Sequence, residues 1–217
     1  QKYLDEAKTK IDANTLYVIN NLAINEPLSL KKVGVYETSK EAASEIVAYD
    51  KTSKRMFTTN GAENKVDIID ISDVTKPTLV SQIDLASYGT GINSVTAHNG
   101  KIAVAVEVKL NDGLHTSQKG KVVIFDTNGV FDKSVTVGFL PDMVTFSENG
   151  EKVIVANEGE PNGDYSVDPI GSVGIVNVSD GSYTDIDFSS VVLSAANDGT
   201  PVRLGNTPSN DKAKEIE

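Results

Sequence analysis

Apolar and polar residues alternate along most of this chain, and the alternating runs recur. Val66 and Ile68, Val122 and Ile124, and Val173 and Ile175 occupy every second position of three short segments, Lys65–Asp70, 121–126 and Ser172–Asn177. A period of two puts such residues on one face of a β-strand, against a core. Each segment ends on Asp70, Asp126 or Asn177 and runs into a turn at Ser72-Asp73, Asn128-Gly129 or Asp180-Gly181. Asp and Asn at such a point are expected to cap the turn by accepting backbone N–H groups. Upstream of each lies a second strand, Arg55–Asn60, 101–106 and Lys152–Asn157. Upstream again is a first strand, opening at Glu45, Asn93 and Asp142. The turns between them are 51–54, Asn99-Gly100 and 148–150, and an Asn-Gly pair between two β-rich runs is a hairpin signal. Fourth strands fit 78–85, 130–137 and 182–188.

The repeat openings are 48 and 49 residues apart, within the 40 to 50 residues that a four-stranded propeller blade occupies. The pattern therefore predicts an all-β chain, a β-propeller of four-stranded antiparallel blades at 45–85, 93–137 and 142–188. Residues 15–37 read as a half blade of two outer strands: Leu16 to Asn20 align with Val66 to Asp70, Pro27 aligns with Pro77, and 30–36 match a fourth strand. Residues 1–14 form an extension with helical spacing of Leu4, Ala7 and Ile11. Residues 189–217 are turn-rich and read as a linker to a further blade. Three and a half blades do not close a ring, so the chain is expected to be part of a longer, seven-bladed propeller. A free-standing open half-ring would expose strand edges and apolar faces.

Charge and composition narrow the function. Twenty basic against 31 acidic residues give a net charge of −11 and a pI near 4.7. That repels phosphate backbones and argues against nucleic-acid binding. The absence of Cys excludes disulfides, thiolate metal sites and cysteine nucleophiles. With two His and no Trp, a His-rich transition-metal site is not expected. No apolar run approaches the roughly 20 residues that span a bilayer.

The third repeat contains Ala156-Asn157-Glu158-Gly159-Glu160-Pro161, Asp164-Tyr165, Asp168-Pro169 and Gly171-Ser172-Val173. Together with 45–50, Gly91-Ile92-Asn93-Ser94-Val95 and Leu140-Pro141-Asp142-Met143-Val144, these motifs resemble the choice-of-anchor I family over about residues 30–217. Ile170 departs from the acidic residue of the family pattern. The stretch 211–217 resembles the segment before the family's next blade. The resemblance implies a bacterial propeller that is secreted or attached to the surface, at home outside the cell, at its surface or in the periplasm. Some members are labelled alkaline-phosphatase-like. The implied partners are an extracellular ligand or cell-surface component, and the remaining blades in the same or another chain.

Propeller geometry gathers the residues that open each first strand, Glu45, Asn93 and Asp142, on one face with the loops between second and third strands. Two of those loops, 107–120 and 158–171, are long, and long loops on a rigid scaffold often carry function. The later one holds Glu158, Glu160, Asp164 and Asp168. Converging carboxylates repel unless a cation or protons neutralise them. Oxygen ligands at this density suit a hard cation, most plausibly calcium. The set competes with a plainer reading, a solvated acidic loop and polar groups meeting water at a channel mouth. His98 is expected to be exposed beside its turn. His115 and Tyr165 are weaker candidates for a role. No nucleophile elbow or phosphate-cradling glycine loop is present. The favoured function is a non-enzymatic binding or structural module with a calcium-holding acidic face. The alternatives are a metal-dependent phosphoester hydrolase and a subunit of a surface layer or extracellular filament.

Overall fold

The computed structural model describes residues 31–38, 43–109, 118–160, 167 and 169–187. Two compact units divide the chain, Gln1–Val33 and Gly34–Glu217. Of the first, only 31–33 are described, exposed and without regular structure. The helix expected in 1–14 and most of the half blade lie outside the described residues. Where a fourth strand was expected at the end of that half blade, residues 34–38 carry none. Tyr36 instead donates its hydroxyl to Asp67 at 3.3 Å. No helix of the described residues is long and apolar enough to cross a membrane.

Within the second unit the described residues form three antiparallel four-stranded sheets, each built from strands consecutive in sequence. Blade 1 holds β1 (Val47–Asp50), β2 (Arg55–Asn60), β3 (Lys65–Asp70) and β4 (Thr78–Asp84). Blade 2 holds β5 (Gly91–His98), β6 (Lys101–Glu107), β7 (Lys119–Asp126) and β8 (Phe131–Phe139). Blade 3 holds β9 (Pro141–Phe146), β10 (Lys152–Asn157), β11 (Ser172–Asn177) and β12 (Tyr183–Asp187). The protein is thus a β-propeller in part. The expected caps are present. Asp70 accepts from Ser72 N at 2.7 Å, and Asp126 accepts from Asn128 N and Val130 N, both at 2.8 Å.

Alternation gives each blade two faces, and the blades stack front to back. The front of blade 1 (Phe57, Val66, Ile68) meets the back of blade 2 (Ile102, Val104, Val123, Phe125) in one buried cluster. The front of blade 2 (Ala103, Ala105, Val122, Ile124) meets the back of blade 3 (Val153, Val155, Val176, Val178) in a second. The middle sheet is buried on both faces, so β6 is a nearly unbroken apolar run.

Polar latches tie each blade to the next at the turn end. Asp50 accepts from Ser53 N of its own turn and reaches across to Gly100 N at 3.1 Å. Arg55 Nη1 donates to Thr127 O and Asn128 Oδ1, both at 2.7 Å. Lys133 Nζ donates to Val178 O and Ser179 O at 2.5 and 2.9 Å. His98, one repeat on from Asp50, is half-buried rather than exposed as expected. It packs on Phe146, ring centroids 5.8 Å apart, and fills the space above the Cα of Gly150. That glycine has a positive φ of 72°, so both its conformation and its neighbour call for the missing side chain.

Candidate functional site

The three residues that open the first strands do converge. Glu45, Asn93 and Asp142 line one cleft of about 410 Å³, with Ile46, Ile92, Ser94 and Met143. Local backbone irregularity aims two of them. In the β5–β6 ladder Ile92 opposes Val106 and Ser94 opposes Ala105, which leaves Asn93 as the extra residue of a bulge. In the β9–β10 ladder Pro141 opposes Asn157 and Met143 opposes Ala156, which leaves Asp142 in the same role. A bulge frees one side chain from the alternation and re-aims it. Asn93 Nδ2 donates to Pro141 O at 2.9 Å and so ties the mouth of blade 2 to that of blade 3. Glu45 stands just before β1, where Ile46 N donates to Thr59 Oγ1 and Ile46 O accepts Thr59 N, both at 3.0 Å.

Glu158 leaves the end of β10 beside this cleft. Its backbone N–H donates to Leu140 O at 3.0 Å, and that of Gly159 donates to Phe139 O at 3.2 Å. Gly159 has φ 64°, and a Cβ there would collide with the backbone of 169–171. The Glu158 carboxyl is pushed above the usual range, by burial first and then by the charges of Asp142 and Glu160. The loop acid and the bulge acid therefore share one field. Glu160 is exposed beside them. Asp164, Asp168, Tyr165 and His115 lie outside the described residues. Among the described residues no three His, Asp or Glu side chains form a group that could hold a metal ion.

Three further polar residues stand at equal positions, at the end of the second strand in each blade. Asn60, Glu107 and Asn157 are all buried. Asn157 accepts from Gly138 N at 3.2 Å and donates to Ser172 Oγ at 3.0 Å, which joins blade 2 to blade 3 beneath the loop. Glu107 pairs with Lys109 at 2.7 Å and lies against the Cα of Gly91, where a Cβ would displace it. Sequence reasoning placed Asn60 and Asn157 as strand ends and Glu107 as the first residue of a loop, and missed that all three are buried at the loop base. The signal was there, a polar residue closing an apolar strand in all three repeats.

A larger cleft, about 590 Å³, lies at the opposite, turn end between blades 2 and 3. Two of its three cations are engaged: Lys101 pairs with Asp132 at 2.7 Å, and Lys133 holds the two carbonyls named above. Its lining carries little net charge, so the smaller, acid-lined mouth is the candidate site.

The choice-of-anchor I domain matches residues 45–217. The chain belongs to that family. No curated protein sequence matches it. Among solved structures, this choice-of-anchor I chain is similar to hydrazine synthase of Kuenenia stuttgartiensis, at 15% identity and a TM-score of 0.49 over 66% of this chain and 37% of that one. It is also similar to a luciferin-regenerating enzyme (16% identity, TM-score 0.47, 67% and 48% covered) and to streptogramin B lyase (14%, 0.45, 68% and 41%). The chain thus spans less than half the length of these structures. Family and fold together make it a surface-associated β-propeller module.

Proposed function

We propose that this choice-of-anchor I propeller is a binding module outside the cytoplasm, and that its acidic mouth takes calcium. The observation that carries this reading is the meeting of Glu45, Asn93 and Asp142, from three successive blades, in one cleft beside Glu158. Carboxylates held this close in a shared field repel one another, and a hard cation relieves that cost. Asp164 and Asp168 belong to the same loop and extend the proposed ligand set. Calcium sites of extracellular modules bind at roughly 10⁻⁴–10⁻³ M, and an affinity in that range is expected here.

Titration calorimetry with calcium chloride tests the proposal. Binding weakened at least tenfold, about 1.4 kcal/mol, in both Asp142→Asn and Glu158→Gln supports it. Absence of any heat at millimolar calcium removes it. The hydrolase alternative needs cations for the phosphate, and Arg55 is spent on Thr127 O and Asn128 Oδ1 at the far end of the sheets. Calcium-dependent release of p-nitrophenol from its phosphate ester, lost in the same two variants, would replace the binding-module reading with the enzymatic one.

A further inference from the structure

A glycine after an asparagine lets the main-chain nitrogen approach the side-chain amide, because no Cβ stands in the way. Five such pairs occur in the chain: Asn60, Asn99, Asn128, Asn149 and Asn162 each precede a glycine. Asn162 lies outside the described residues. Asn60 is buried, its amide nitrogen held between the carboxylates of Glu63 and Asp67. Asn99, Asn128 and Asn149 are exposed, each in a turn at the same end of the blades. The glycine N–H is engaged in all three. Gly100 N donates to Asp50 Oδ1 at 3.1 Å, Gly129 N to Asp126 O at 3.0 Å and Gly150 N to Ser147 O at 2.8 Å. Opening of the turn is therefore a cost common to the three. They differ in what stands against the reacting groups.

Asn128 Oδ1 accepts from Arg55 Nη1, a guanidinium of the preceding blade, at 2.7 Å, and Asn128 Nδ2 lies 3.4 Å from Asp126 Oδ2. Asn149 Oδ1 accepts from neutral donors, Ser147 Oγ at 2.8 Å and Glu151 N at 3.1 Å. At Asn99 the nearby charge has the wrong sign. Gly100 N must become an anion to attack, and it faces the Asp50 carboxylate. Among the described residues no cation bonds the amide oxygen of Asn99 or Asn149. A cation fixed on an oxygen where negative charge develops lowers the barrier to attack at its carbon. We infer that Asn128-Gly129 is a self-modifying site, at which Arg55 of blade 1 promotes cyclisation and deamidation of the Asn128 side chain in blade 2. Solvent base takes the proton of Gly129 N. That nitrogen attacks Asn128 Cγ, the N–Cγ bond forms, and the displaced electron pair moves onto Oδ1 under the guanidinium. As the pair returns, the Cγ–Nδ2 bond breaks, and Nδ2 takes a proton from water beside Asp126 and leaves as ammonia. Water then opens the cyclic imide at either carbonyl, to aspartate or isoaspartate. The sum is amide plus water to acid plus ammonia, with no oxidant or reductant. The aspartate keeps an oxygen against Arg55, now as a charge-assisted pair. The isoaspartate puts an extra carbon into the main chain of the turn.

The folded full chain, held at mildly alkaline pH in water labelled with heavy oxygen, tests this. Peptides carrying Asn99, Asn128 and Asn149 are followed by mass, since each deamidation takes up one labelled oxygen. Label is expected in the Asn128 peptide about tenfold faster than in the Asn149 peptide, below the effect of about a hundredfold or more for a donor in an enclosed oxyanion site. The gap should close in urea, where the three pairs sit in an unfolded chain. Arg55→Ala should bring Asn128 down to the rate of Asn149, with Asn99 and Asn149 unchanged, and Arg55→Lys, which keeps a cation, should retain part of the advantage. The sign separates two roles for Arg55. Were it a latch alone, its loss would loosen the turn and speed the reaction. Labelling of Asn128 no faster than that of Asn149 in the folded parent overturns the inference. So does a rate unchanged or raised in Arg55→Ala, or an advantage that persists in urea. If Arg55→Ala unfolds, seen as a rise at all three sites together, Arg55→Gln takes its place and is held to the same outcomes.

Discussion

Asp50 shows how one side chain can hold two blades. Burial pushes its carboxyl up, and the backbone N–H groups of Ser53 and Gly100 outweigh this, so it lies below the usual range. A depressed carboxyl binds fewer protons folded than unfolded near its pKa. It therefore contributes stability above the unfolded value near 4, lost as pH falls through the lower folded value. Replacing Asp50 with Ala leaves the Gly100 N–H without its acceptor and is expected to cost about 1–3 kcal/mol at pH 7. Denaturant titrations at pH 7 and pH 3 check this, and the gap between wild type and variant should narrow at the lower pH. His98 has a different lesson. Its place beside an Asn-Gly turn gave no hint of Phe146 and Gly150, which are about fifty residues away and belong to the neighbouring blade.

At the level of elements, the strands were legible in advance because alternation and turn residues agree in every repeat. The bulges were not. A bulge at Asn93 or Asp142 inserts one residue and offsets the apolar rhythm, so that Ile92 and Val95, three residues apart, enter one core cluster, and the cross-strand register shows why. Those two bulges are what turn the side chains into the cleft, so the positions of the candidate residues were readable and the device that aims them was not. Deleting Asn93 is expected to restore plain pairing between β5 and β6 and to abolish calcium binding at the mouth, while calorimetric unfolding stays cooperative. Ile124 tests the packing on the other side of the argument. It is fully buried between blades 2 and 3, and Ile124→Ala should destabilise by about 2–5 kcal/mol. Retention of wild-type stability would mean that the two sheets do not stack as described.

For the whole molecule, the propeller class followed from a repeat of about 48 residues, and the stacking order followed from the class. The electrostatics of the mouth needed coordinates, because Asp142 and Glu158 lie at the ends of paired strands of blade 3, and only the register of that ladder with its bulge shows one carboxyl standing in the other's field. Calcium at a hundred times its dissociation constant should add about 2.7 kcal/mol by mass action, a rise in Tm of roughly 5–10 °C for a chain of this size. Differential scanning calorimetry with and without calcium reads that shift directly, and Glu158→Gln should blunt it.

Blade 2 has another described sheet stacked on each of its faces. Loss of structure is therefore expected to travel inward from the flanks, as it does in linear arrays of repeats. Under native hydrogen exchange the amides of β6 and β7 should be the last to take up deuterium, and β12 should exchange well before them. Melting then has a direction, and the mouth that Asn93 shares with Asp142 is lost when blade 3 peels away, before the centre of the stack gives up its own fold.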